Sequence, residues 1–241
     1  MTARPARTLP QPVTCVFFDA GDTLLAPWPS FHARFQTVAM EQGVSFELAA
    51  IEAAWVTAIR EALWPVDWTD PATQREFWKG FYVEVLRHLP FDGDSRAIAE
   101  AAYDVFADPA TYKLFDDSRP ALEALAARGL KLGVISNFEP WLQDVLTLQG
   151  VDHLFAAVAI SGVLGVAKPD PEIFHAALEQ AGVEAATAVH VGDQPEIDAR
   201  AAEAVGMAPV LIDRFDRRPE PVPWPRISSL DELVDLLDQE E

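Results

Sequence analysis

Residues 13–19, VTCVFFD, are β-branched, aromatic or otherwise apolar until the terminal acid, the pattern of a short strand covered on both faces. From residue 28 to 112 the period changes. FHARFQTVAMEQG, FELAAIEAAWVTAIREALW, PATQREFWKGFYVEVLRHL and DSRAIAEAAYDVFAD each repeat apolar residues at helical spacing between Pro, Gly and Asp breaks, which predicts an all-helical block. Beyond residue 116 the two periods alternate. SRPALEALAARG is a helix closed by Gly129, followed by the strand KLGVIS, the helix PWLQDVLTLQG and the strand FAAVAI. DPEIFHAALEQAG is a helix with an acidic first turn, TAVHVG a strand, EIDARAAEAVG a helix and APVLI a strand, and SSLDELVDLLDQ closes the series from a serine cap.

Strands alternating with helices of this length imply right-handed βαβ units and a parallel sheet. The fold class is therefore α/β: a Rossmann-like, doubly wound parallel sheet interrupted after its first strand by an inserted all-helical cap domain. Residues 13–25 and 114–241 form the core domain, 28–112 the cap and 1–12 a flexible lead-in. The stretches Ala26–Ser30 and Leu114–Asp117 are the expected hinges.

Composition narrows the partners. The chain has 241 residues, with 18 Lys and Arg against 38 Asp and Glu, a net charge of −20 that disfavours nucleic acid and anionic membranes. A locally positive pocket for a small phosphorylated metabolite remains compatible with it. The one cysteine, Cys15, lies in the first strand and is expected to be a small buried residue. With no apolar run of membrane-spanning length and no apolar leader, the expectation is a cytoplasmic monomer or homodimer.

In open parallel sheets ligands bind beyond the carboxyl ends of the strands, so the residues found there are the candidates. The first strand ends in Asp19, followed by Asp22 and Thr23; KLGVIS ends in Ser136, followed by Asn137. Lys168 stands in GVAKPDPEIF just before a helix, and TAVHVG leads into Asp193, Glu196 and Asp198. Acid, hydroxyl, base and acid thus fall in order on one sheet edge.

This series, FFDAGDTLL, VISN, VAKPDPEIF and VGDQPEIDARAAEAVGM, resembles the haloacid dehalogenase superfamily of hydrolases, in its helical-cap branch. The resemblance implies a phosphatase in which Asp19 is the nucleophile and forms an aspartyl-phosphate. It implies a Mg²⁺ ion held by Asp19, the carbonyl of Gly21 and Asp193, with Asp198 or Glu196 contributing through water. Lys168 would balance the charge of Asp19, Ser136 and the amide of Asn137 would bind the phosphoryl oxygens, and Thr23 would orient the loop.

The first motif departs from the family pattern Asp-x-Asp-Gly-Thr. The residue two past the nucleophile, normally the general acid and base, is Gly21, and the acid comes one place later as Asp22. The sequence is similar here to the Asp-x-x-Asp-Thr form of a branch called REG-2-like. A one-residue shift turns a side chain to the other side of the backbone, so Asp22 is read first as a structural loop residue that tolerates glycine-like backbone angles, and beside that as a substrate-binding candidate with Thr23 and Asn137. Two alternatives stand beside the phosphatase. One is a 2-haloacid dehalogenase, disfavoured because that pattern has an aromatic at position 21; the other is a phospholigand-binding domain without turnover. Among the cap indoles Trp28, Trp55, Trp64, Trp68 and Trp78, packing is the default role, with Trp28 and Trp64 the candidates for a substrate pocket. His32, His88, His153, His175 and His190 show no ligand spacing and are expected to be structural or exposed, and DRFDRRPEPVPWP is expected to be a surface loop whose arginines face the acidic body, with no function assigned to it.

Overall fold

The computed structural model describes residues 9, 12–61, 70–217 and 221–238. Strand β1 (Cys15–Phe18) is followed by β2 (Leu25–Pro27), then by four helices, α1 (Phe31–Glu41), α2 (Leu48–Glu61), α3 (Pro71–Arg87) and α4 (Ser95–Phe106). The chain continues through β3 (Tyr112–Leu114), α5 (Ser118–Ala127), β4 (Lys131–Ser136), α6 (Leu142–Leu148), β5 (Ala157–Ile160), α7 (Ser161–Leu164) and α8 (Pro171–Ala181). It ends with β6 (Ala188–Gly192), a wide helical turn at Pro195–Arg200 running into α9 (Ala201–Ala204), β7 (Ala208–Ile212), β8 (Arg226–Ile227) and α10 (Leu230–Asp238).

Six strands form a sheet in the order β5-β4-β1-β6-β7-β8, and every pairing is parallel. β1 sits inside the sheet with both faces covered, which explains its unbroken apolar run. Val16 and Phe18 join one buried cluster with Leu122, Leu125 and Leu146, while Cys15 and Phe17 join a second with Ile173 and Phe174 on the other face. Burial pushes the Cys15 thiol up to about 12, against the opposing pull of Lys131.

The four helices α1–α4 carry a hydrophobic cluster of their own, centred on Phe35, Trp55, Tyr82 and Phe106. Asp70 and Asp94 cap α3 and α4 by accepting amide hydrogen bonds, and Ser30 caps α1 in the same way. Beside the two expected hinges the chain pairs with itself. β2 and β3 form an antiparallel ribbon with Leu25 opposite Leu114 and Pro27 opposite Tyr112, so the chain leaves for the helices and returns from them side by side. Such short strands carry too little periodicity to be seen in sequence, and the same holds for β8, which lies just past the stretch read as loop. Among the described residues no helix is long and apolar enough to cross a membrane.

Candidate active site

β1, β4 and β6 run parallel, so their carboxyl ends share one edge. Asp19 follows β1 and its amide donates to Val191 O at 2.8 Å, which extends the β1–β6 ladder by one bond. Ser136 ends β4, and its hydroxyl donates to Asp19 Oδ1 at 3.1 Å. Lys168 arrives on the loop between α7 and α8, and the Asn137 side chain fixes that loop. Asn137 Nδ2 donates to Lys168 O at 2.8 Å, while Asn137 Oδ1 accepts from Lys168 N at 2.7 Å.

The Lys168 ammonium stands between two carboxylates, 2.7 Å from Asp19 Oδ1 and 2.6 Å from Asp198 Oδ1. Lys168 is only 2 % exposed and Asp198 only 1 %, so water screens neither charge. Asp198 is itself built in: its Oδ2 accepts the Gln194 amide at 2.9 Å, and its Oδ1 accepts from His190 Nε2 at 3.2 Å. A carboxylate can only accept, which assigns the proton to Nε2 and leaves the fully buried Nδ1 without a partner. Gly192 permits this approach, because a β-carbon there would collide with the Asp198 carboxyl group.

The electrostatics follow from burial and proximity. Burial alone would lower the Lys168 pKa, but Asp19 and Asp198 outweigh it, and the ammonium is held above its ordinary range. Burial would raise Asp198, but Lys168 and then His190 hold it well below the usual carboxylate range. Asp19 is pushed upward, first by burial, with Lys168 opposing and Asp198 assisting. Burial keeps His190 below its usual value, against Asp198, and therefore neutral.

The loop after Asp19 is held from an unexpected side. Asp22 takes a left-handed backbone, φ 53°, so it stands where the family pattern has glycine. Its Oδ2 accepts from Arg217 Nη1 at 2.9 Å, and its buried Oδ1 has no hydrogen-bond partner. Arg217 Nη2 also donates to His32 Nδ1 on α1, at 2.8 Å. Thr23 is fully buried and its hydroxyl is unpartnered, but its carbonyl accepts from Arg214 Nε at 3.0 Å and Nη2 at 2.7 Å. Arg214 Nη1 meanwhile donates to Asp117 Oδ2 at 2.8 Å.

The structure thus brings Asp19, Ser136, Lys168 and Asp198 into one hydrogen-bonded group, and one oxygen of each of Asp19, Asp193 and Asp198 lies within 4.8 Å of the others. Glu196 is not part of it; exposed, it pairs with Arg200 Nε at 2.5 Å. The side chain of Asn137 is committed to Lys168, that of Asp22 to Arg217. Three participants escaped the sequence analysis. His190, expected to be structural or exposed, is buried and props Asp198; Arg214 and Arg217 lie in the stretch to which no function was assigned, and they grip the Asp22–Thr23 turn. Trp28 is 58 % exposed with Lys113 Nζ 5.0 Å from its ring centroid, while Trp64 and Trp68 lie outside the described residues. Trp55 is packed in the helical cluster as expected; Trp78 packs against that cluster and also borders a cavity.

Comparison with known proteins agrees with this geometry. A family model described as haloacid dehalogenase-like hydrolase matches residues 13–206. The mouse protein named haloacid dehalogenase-like hydrolase domain-containing protein 3 is 34% identical over 201 residues, covering 81% of this chain and 80% of that one. A protein of Thermus thermophilus named phosphoserine phosphatase is 31% identical over 240 residues, covering 90% of this chain and 96% of that one. Among solved structures, a HAD phosphatase from Thermococcus onnurineus superposes with a TM-score of 0.63 at 26% identity, over 93% of this chain and 98% of that one. The family model spans the chain from the first strand past Asp198, and the chain belongs to the haloacid dehalogenase-like hydrolases.

Proposed function

We propose that the protein is a Mg²⁺-dependent phosphatase acting on small phosphate monoesters through an aspartyl-phosphate on Asp19. The observation that carries this is the Lys168 ammonium, buried at 2.7 Å from Asp19 Oδ1 and 2.6 Å from Asp198 Oδ1. A bare carboxylate repels a phosphate dianion; one whose charge is balanced in a fixed geometry can approach it.

The donor set fits a divalent cation. Three carboxylates gather within 4.8 Å, and the Lys168 ammonium pairs with two of them, Asp19 and Asp198. Oxygen donors suit a hard ion such as Mg²⁺. Asp19 and Asp193, with the Gly21 carbonyl, would hold it; Asp198 would act from behind, since Lys168, His190 and the Gln194 amide already engage its oxygens. Bound there, the ion would neutralise charge on the phosphoryl oxygens as they redistribute it.

In the first half-reaction an Asp19 oxygen bonds to phosphorus, the ester P–O bond breaks, and the alcohol leaves with its electron pair and takes a proton. In the second, water attacks phosphorus, the Asp19–phosphorus bond breaks, and inorganic phosphate and the free carboxylate result. Ser136 and the Asn137 amide supply donors for the transferring oxygens. No carboxyl at position 21 protonates the leaving alkoxide, and Asp22 is spent on Arg217. Loss of a positioned acid costs about 10²–10⁴ in rate, so good leaving groups are favoured. The four helices serve as the cap that selects substrate, closing over the site on the β2–β3 ribbon. Dehalogenation is the weaker reading, because position 21 carries no aromatic ring.

The test is release of p-nitrophenol from p-nitrophenyl phosphate, an ester that needs little help from an acid. Activity that requires Mg²⁺, stops with a chelator and is absent in Asp19→Asn supports the proposal. Release indistinguishable from Asp19→Asn refutes it.

A further inference from the structure

The residues that follow Ser136 and Asn137 run directly into the wall of a cavity between the helices and the sheet. Its volume is about 40 Å³. Helices α3 and α4 contribute Trp78, Tyr82 and Phe106; the core side contributes Tyr112, Phe138 and Trp141. The core rings are packed against each other, Phe138 and Trp141 edge to face at 4.7 Å and Tyr112 and Phe138 at 5.6 Å, while Tyr82 and Phe106 stand 5.3 Å apart on the helical side. The cavity lies between these two aromatic groups.

One charged side chain borders it. Glu139 is 7 % exposed, and its Oε1 accepts from Tyr103 Oη, on α4, at 2.9 Å. Among the described residues Glu139 has no ion pair. Arg75 acts on it from further away, its guanidinium carbon 5.4 Å from the centre of the Tyr103 ring. Burial raises the Glu139 carboxyl above its ordinary range, and the Tyr103 hydroxyl works against that. A buried carboxylate without an ion pair is expensive, and aromatic faces attract cations. An anionic group would be repelled here, and a neutral one would leave the carboxylate uncompensated.

We propose that this cavity binds the ammonium group of the substrate's alcohol, so that the preferred phosphate monoesters are those of small primary amino alcohols. The proposal rests on the phosphatase reading and specifies the substrate of that same site. Glu139 is three residues past Ser136 in sequence, at most about 10 Å of chain, so the cavity wall and the proposed phosphoryl site are carried on one short loop. A volume of about 40 Å³ holds roughly two or three water-sized groups, enough for an aminomethyl end and too little for a trimethylammonium. The ammonium also stabilises the departing alkoxide, which position 21 carries no carboxyl to protonate.

The experiment compares kcat/KM for O-phosphoethanolamine and 2-hydroxyethyl phosphate, which differ in having an ammonium or a hydroxyl at the same place, with p-nitrophenyl phosphate alongside. The full chain with Mg²⁺ is expected to prefer the ammonium ester at least tenfold, and Glu139→Gln to bring that ratio close to one. Equal rates in the unaltered protein, or an unchanged ratio in Glu139→Gln, overturn the proposal. The ratio in the unaltered protein needs no variant, so a Glu139→Gln chain that fails to fold does not remove the test. Turnover of p-nitrophenyl phosphate without an ammonium preference defeats this inference alone, whereas no turnover of any of the three defeats the phosphatase reading itself.

Discussion

Arg217 Nη1 lies 2.9 Å from Asp22 Oδ2, although 195 residues separate the two in sequence. Through this pair the loop after β7 holds the turn that follows Asp19, and Arg217 reaches past it to His32 on α1. Asp22 is therefore a structural anchor whose charge is matched from a distant part of the chain. Replacing Arg217 by Met leaves that carboxylate largely buried and unpaired, which costs about 3 kcal/mol. Urea unfolding should show a loss of that size in Arg217→Met, and most of it should return in the Asp22→Asn/Arg217→Met double variant. Additive losses in the double variant would mean that the pair is not coupled.

Position 21 offers a gain of function. Gly21 does not need a left-handed backbone, and a β-carbon there would lie 3.4 Å from Phe31 Cε2, ordinary contact. Gly21→Asp puts a carboxyl where the family pattern carries its acid. For esters with poor leaving groups kcat should rise by about 10²–10⁴, while p-nitrophenyl phosphate changes little. An unchanged kcat for alkyl esters would show that the loop cannot aim an acid from this position.

His32 makes stability sensitive to mild acid. Burial, and secondarily the Arg217 guanidinium, lowers its pKa from 6.5 to about 3. Its Nδ1 accepts from Arg217, and its ring lies edge to face with Trp55 at 5.2 Å, so a proton on Nδ1 would meet a donor already in place. Below pH 6.5 the unfolded chain binds a proton that the folded chain refuses, and folding free energy is lost progressively towards pH 3. Chemical denaturation between pH 7 and 5 should show falling stability, with a shallower fall in His32→Gln, which can still accept from Arg217. Identical slopes in the two proteins would remove His32 as the cause.

The fold was largely legible because its signals are local. Apolar runs such as VTCVFF, helical spacing and the capping residues Ser30, Asp70 and Asp94 each act within a few residues. Asp19, Ser136 and Lys168 were legible for the same reason, each standing next to a strand end or helix start whose direction fixes the edge it occupies. Arg214, Arg217 and His190 were not. Their roles depend on contacts across the sheet edge, to Thr23, to Asp22 and to Asp198, and no local period marks them. The nearest signal was the Asp at position 22, since a buried acid in a left-handed turn needs a cation from elsewhere. Glu139 was missed for a related reason: a cavity between helices and sheet exists only once both are packed.

The central claim is that Asp19 becomes covalently phosphorylated. The direct measurement is an acid quench of the protein after brief mixing with Mg²⁺ and a radiolabelled phosphate ester, followed by peptide mapping of the chain-bound label. Label on the peptide containing Asp19, absent in Asp19→Asn and discharged by base, is the expected result. Phosphate release from the unaltered protein with no chain-bound label at any quench time, or label on a peptide without Asp19, would contradict the account.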